Sequence, residues 1–295
     1  MKHMRNKLLL ATVLIVLFAS CDTPRYAYSP NAHNVPLLAK QWDSKLSANY
    51  STNADANSSS NANNNKYDRN RANGYDIQGA VAVTNHIGVQ GSYYSRNEKN
   101  YGDAYNGDSS VVRYKRRLAE FGAGYFTSLN KRNKIFFQVF AGVGFGTLKL
   151  TEAARDYNGV SYNRFYNSDI RKYYLEPTII FRSKEVFAAS LSTRLTVLGF
   201  KNVRTDYTQE EKENYKLDSL NRYNMVFLEP AFVNSYGFNK LPGLRIEYQL
   251  GLSIPIELDV DKQILDYRPF NFSIGLVFDI GKLIRGPEET KKYKD

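Results

Sequence analysis

The chain has 295 residues, of which 42% are hydrophobic, 14% aromatic and 23% charged, with a formal net charge of +11. One Cys and three His exclude a disulfide scaffold and a Cys/His zinc site. After the first twenty residues no stretch approaches the ~20 apolar residues of a membrane helix, which excludes a helical bundle in the bilayer but not a β-barrel, whose strands hide hydrophobicity by alternation.

Residues 1–20 begin with Lys2, Arg5 and Lys7, continue through an apolar run over 8–18, and end on the small Ala19 and Ser20. A basic start, a short apolar stretch and small residues before the cut describe an export signal. Its removal takes the net charge from +11 to +8, a balance that favours anionic lipid headgroups or polysaccharide. Export argues against nucleic acid as a partner, despite the cluster Arg113-Tyr114-Lys115-Arg116-Arg117. Phe18-Ala19-Ser20-Cys21 resembles the lipobox of bacterial lipoproteins, and the resemblance implies a lipid on Cys21; ordinary cleavage leaving a free thiol is the alternative. Residues 21–42, polar and carrying Pro24, Pro30 and Pro36, read as an extended periplasmic tether.

From there the sequence alternates apolar and polar residues with period two, the mark of half-buried strands. Ten segments show it: 43–52, 74–84, 87–97, 110–129, 134–153, 165–183, 185–206, 223–238, 244–257 and 269–281. In the ninth, Leu244, Ile246, Tyr248, Leu250, Leu252, Ile254 and Ile256 share one face, against Arg245, Glu247, Gln249, Gly251, Ser253 and Pro255. The connections after even-numbered segments are short. Those after odd-numbered ones are long and polar (53–73, 98–109, 154–164, 207–222 and 259–268), the first holding a Ser/Asn-rich run. Such asymmetry belongs to outer-membrane barrels, with turns on the periplasmic side and loops outside. The expected fold class is therefore all-β, a closed antiparallel up-and-down transmembrane β-barrel of about ten strands over 43–281. An even number of strands places both termini on the periplasmic side, the C-terminal tail being 282–295.

On this architecture the chain resembles small outer-membrane barrel proteins of the OmpA/OmpX kind, enlarged to ten strands and given a lipoprotein leader. Many such barrels end on an aromatic residue; here Phe278 stands near the end of the last strand instead. A soluble, lipid-tethered periplasmic barrel is the competing arrangement, since alternation alone does not say which face is outside.

In the barrel reading the polar face lines the lumen. Glu120, Glu176 and Glu229 on even strands, with Arg194, Arg245 and Glu247 on odd ones, are expected to form an ion-pair plug. A barrel near eight strands is filled by its own side chains, whereas channels open at about sixteen. Glycines on that face (Gly122, Gly124, Gly142, Gly144, Gly146, Gly251 and Gly275) suit a crowded interior. Arg113, Lys115, Arg116 and Arg117 form an extracellular basic patch facing anionic lipopolysaccharide or a partner protein. No catalytic residues, metal site or cofactor are expected: His3 is in the signal, His33 in the tether and His86 in a periplasmic turn, and Asp259 with Asp261 match a calcium loop poorly. The partners expected are outer-membrane lipids, lipopolysaccharide included, and other outer-membrane proteins. The functional expectation is a non-catalytic accessory barrel that presents its loops; the alternatives are a small-solute transport barrel and a soluble periplasmic binding barrel.

Overall fold

The computed structural model describes residues 27–53, 71–102, 107–183, 186–220, 222–256 and 269–281. The signal, Cys21, most of the first long connection, Asp259, Asp261 and the tail 282–295 lie outside these residues.

Ten long strands form one closed antiparallel sheet: β1 (Ser44–Thr52), β2 (Arg71–Ala82), β3 (Ile87–Gly102), β4 (Gly107–Ser128), β5 (Ile135–Asp156), β6 (Ser161–Ser183), β7 (Phe187–Thr205), β8 (Met225–Phe238), β9 (Leu241–Leu252) and β10 (Phe270–Phe278). Each strand pairs with the next, and β10 returns to β1 through Leu46↔Phe278 to Thr52↔Phe272. Ile254–Pro255 continues β9 alongside β8 in unchanged register. Closure gives each described strand a partner on both sides. The short connections and the free ends of β1 and β10 gather at one end of the barrel, and the long connections at the other.

The face pattern is inside-out relative to a soluble core. Phe121 is 61% exposed, Leu191 58% and Phe145 56%, while Arg194 is 1% and Glu176 0% exposed. Leu46, Ile77, Leu175, Ile179, Leu250, Ile274 and Leu276 also face outward. An apolar exterior that encircles a whole protein is far larger than the few hundred Å² a soluble monomer tolerates. It is the surface of a barrel immersed in hydrocarbon. On β6 the apolar outward residues run from Phe181 to Tyr173, which matches the ~9–11 residues of a crossing strand.

The strands then continue well past that band. The β3–β4 and β5–β6 hairpins remain paired to Gly102↔Ser110 and Arg155↔Ser161, so much of the expected loops 98–109 and 154–164 is strand instead. In this loop-side half the interior turns apolar: Tyr94, Tyr114, Leu118, Leu148, Leu150, Tyr166 and Ile170 form one cluster. The connection between β7 and β8 folds onto it. A short helix α1 (Gln209–Asn214) is started by a capping box, with the Thr208 hydroxyl accepting from Glu211 N and the Glu211 carboxylate accepting from Thr208 N. Beyond it, Leu217 and Leu220 are buried in the same cluster, so the connection packs against the loop-side end of the lumen.

The largest departure from the sequence reading concerns residues 27–39. Instead of a tether outside the barrel, they run through its lumen, and 27–36 are buried throughout. The segment starts among the loop-side cluster at Ala27 and Tyr28 and ends at Leu38 against Ala82, Phe126 and Phe140, near the short-turn end. There the Asp43 carboxylate accepts from Ala39 N (2.9 Å) and Lys40 N (3.1 Å). Trp42, at a φ of 69°, completes the reversal, and the chain enters β1.

The luminal glycines make room for large rings. A Cβ on Gly142 would lie 2.6 Å from the Tyr174 ring and its hydroxyl, and one on Gly122 2.5 Å from that hydroxyl. The Tyr174 hydroxyl meanwhile accepts from Gln90 Nε2 (3.2 Å). Gly142→Val is expected to destabilise the barrel by about 1–3 kcal/mol through overpacking. The measurement is the temperature at which the folded band converts on an unheated-versus-heated gel, and an unchanged temperature would show that the lumen has slack.

Candidate functional site

The lumen at mid-height holds the charges that parity on the strands places inside. The Arg194 guanidinium donates through Nε to Glu176 Oε2 at 2.6 Å, and its Nη2 meets the same oxygen at 2.6 Å. Its Nη1 lies 3.8 Å from Glu120 Oε2. Lys172, which the sequence reading passed over, pairs with Glu120 Oε1 at 2.9 Å and approaches Glu229 at 4.0 Å. Glu120, Glu176, Arg194 and Glu229 thus converge at mid-height. Arg245 and Glu247 stand apart: Arg245 donates to Ser235 Oγ (3.1 Å), and Glu247 pairs with the unanticipated Lys45 at 2.9 Å.

The threaded segment is the hub of this network. Asn31 Oδ1 accepts from Lys172 Nζ (2.8 Å) and Arg194 Nη1 (3.4 Å), while its Nδ2 donates to Glu120 Oε2 (2.9 Å). One short amide side chain therefore serves both signs of charge, which only a group with donor and acceptor ends can do. Above it, the Tyr28 hydroxyl donates to Glu229 Oε1 (2.6 Å), and its ring stacks on Phe227 at 4.6 Å. Glu229 is completed by the hydroxyls of Thr196 (2.6 Å) and Ser253 (2.8 Å). Ser29 donates to Glu98 Oε1 (2.8 Å), and Arg96 reaches the Pro30 carbonyl at 3.2 Å. Below, Asn34 donates to the Gly79 carbonyl (3.0 Å), and Lys45 donates to the Val35 carbonyl (3.3 Å). Both the side chains and the backbone of the segment are thus bonded to the wall, as a group removed from water requires.

His33 lies here too, not in a tether outside. Its Nδ1 is 2.9 Å from Ser192 Oγ and 3.9 Å from Glu176 Oε2. A hydrolytic relay needs the nucleophile and the orienting carboxylate on opposite ring nitrogens; here one nitrogen faces both, and Thr178 donates to the same Ser192 hydroxyl. The arrangement holds the segment in place.

The basic patch divides by parity. Arg113, Lys115 and Arg117 face outward and are exposed, whereas Arg116 points into the lumen, is 2% exposed and pairs with Glu98. Its Nε also donates to the Ala27 carbonyl at 3.4 Å. Alternation along a strand sends neighbours to opposite faces, so Arg116 could not share a surface with Arg113, Lys115 and Arg117. No group of residues able to hold a metal ion occurs among the described residues.

No family model matches the chain, and no curated protein matches it. Solved structures do show likeness. An outer membrane channel from Pseudomonas putida F1 is 10% identical with a TM-score of 0.36, covering 88% of this chain and 99% of that one. The NanC porin is 12% identical with a TM-score of 0.29, covering 80% and 100%. The translocator domain of the autotransporter NalP from Neisseria meningitidis is 7% identical with a TM-score of 0.27, covering 81% and 88%. The chain itself is a closed antiparallel ten-stranded barrel with an apolar exterior.

Proposed function

We propose that the chain is an outer-membrane barrel of channel type whose lumen is held shut by its own residues 27–39. The observation that supports this reading is the threaded segment itself, set in a wall of polar and charged side chains (Glu120, Lys172, Glu176, Arg194, Glu229) that would line a water path once the segment moved. A wall built only to be filled would be better packed with apolar residues, since buried ion pairs add little net stability. Passage of small polar solutes then requires displacement of the segment. In planar bilayers the full chain is expected to give no steady conductance, and a chain lacking 27–38 is expected to conduct. A shortened barrel that folds yet stays closed would overturn the channel reading and leave the non-catalytic accessory barrel, which presents its loops to other outer-membrane proteins.

The direction of threading also bears on the N-terminus. Ala27 lies in the loop-side half of the lumen, within the apolar cluster there. A lipid on Cys21 would be tied to that point by about 20 Å of extended chain at most. It would then be presented near the outer leaflet, rather than the inner leaflet that a periplasmic tether would reach. The end of β10, by contrast, lies at the short-turn side. An epitope inserted after Asp22 is expected to be labelled on intact cells; labelling only after permeabilisation would restore a periplasmic N-terminus.

A further inference from the structure

Directly above the apolar band, the outer wall of β3 to β7 becomes strongly basic. The ladder registers place these residues in continuous rows. One row runs Lys115↔Lys149, Lys149↔Asn167 and Asn167↔Arg204; the next runs Arg117↔Thr147, Thr147↔Asp169 and Asp169↔Lys201. Arg113 faces Lys99 on one side, and Arg171 faces Phe145 one row lower. Neighbouring strands are about 4.8 Å apart, so these cations crowd one face, with Asp169 the acid in the two rows. Lys115 directly opposite Lys149 is a like-charge pair of the kind that destabilises a sheet. An anion lying over the rows removes that repulsion.

The wall also has a recess among these rows. Between Asn167 and Asp169 the β6–β7 register shifts: Asn202 and Val203 stand opposite Ser168 alone, and Asn202 takes a left-handed φ of 53°. Such a bulge opens the ladder. A cavity of about 340 Å³ lies there, lined by Thr147, Lys149, Ser168, Asp169, Asn202 and Arg204, among others. The Asp169 carboxylate is occupied by Asn202 Nδ2 at 2.7 Å, which leaves the Lys149 and Arg204 cations to face a ligand. Position decides the ligand class. These groups sit where the outward face passes from hydrocarbon (Phe145, Tyr173) to water, the level at which the phosphates of the outer leaflet lie.

We propose that the recess, with the basic rows beside it, binds a phosphate-bearing sugar of lipopolysaccharide. The proposal rests on the outer-membrane reading. Lys149 and Arg204, both exposed on the outer wall, supply the charge.

The test uses the full chain in detergent and native mass spectrometry to count bound lipid A, with dephosphorylated lipid A and inorganic pyrophosphate as separate probes. Lys149→Ser combined with Arg204→Ser is expected to weaken lipid A binding about 25-fold, near fivefold for each cation removed. Lys131→Ser, on the short turn at the opposite end, is expected to change nothing. Both variants must keep the heat-shifted gel band of the folded barrel. Equal binding of dephosphorylated lipid, or unchanged affinity in the double variant, overturns the proposal. Pyrophosphate held as tightly as lipid A overturns the lipid as the source of the anion. Wild-type protein fractionating with soluble proteins would defeat the outer-membrane reading, an outcome distinct from a barrel that sits in the membrane without a phosphate site.

Discussion

Arg194→Leu is expected to cost about 3–5 kcal/mol of barrel stability, because it strands a buried carboxylate with its charge uncompensated. Arg194 is 1% exposed and meets Glu176, itself 0% exposed, through two nitrogens at 2.6 Å. The substitution also removes one of the two cations near Glu120, leaving Lys172 as the remaining one. The measurement is the urea midpoint of folded and unfolded gel bands in detergent. Adding Glu176→Gln to Arg194→Leu should restore more than half of the loss, since the second change removes the stranded charge. The size of the effect also reports on the lumen. In a water-filled pore the same pair would be screened and worth under about 1 kcal/mol, so a small loss would argue that the interior is wet and the segment is not a seal.

Much of the architecture was legible because the membrane imposes one rule on every strand. Between Phe121 and Tyr125 on β4, or Tyr173 and Phe181 on β6, greasy residues face out and polar ones in, and the parity that places Glu120 and Glu176 inside follows directly. The same parity places Arg116 inside with Glu120, four positions away on one strand. Reading Arg113 to Arg117 as a single patch overlooked the period, and with it the pairing to Glu98. Lys172 was readable in the same way, two and four positions from Tyr174 and Glu176. Above the band the rule inverts: water lies outside and a core inside, so Lys115, Arg117 and Lys149 face out while Tyr114, Leu118 and Leu148 face in. A strand that changes convention midway gives a muddled alternation, which is why the sequence pattern reads the hairpin tips as loops.

The luminal segment had no comparable signature. An extended stretch has no periodicity to betray what surrounds it, and prolines with short polar residues suit a solvated linker equally well. Its composition does fit the site in retrospect. Ser29, Asn31, His33 and Asn34 are compact groups that bond to walls of either charge, and Val35 and Leu38 meet apolar patches at the short-turn end. Only the tertiary neighbours distinguish such a segment from a tether.

Leu38→Asp should open the lumen of the full-length chain without any deletion. Leu38 is 2% exposed and packs with Ala82, Phe126 and Phe140, and its side chain lies where a Cβ on Gly88 would go. Loss of a buried leucine alone costs about 2–5 kcal/mol. An unpaired carboxylate in that apolar pocket adds a desolvation cost of several kcal/mol more. The strands do not depend on this contact for their ladders, so the low-energy response is for the lower part of the segment to leave the pocket rather than for the barrel to unfold. Planar bilayers should then show intermittent current steps, while the heat-shifted band of the folded barrel persists. Leu38→Ala, which leaves a cavity but no charge, should stay closed or open rarely. If Leu38→Asp remains folded and silent, the segment is a fixed part of the wall, and its removal, not its movement, would be the only route to a pore.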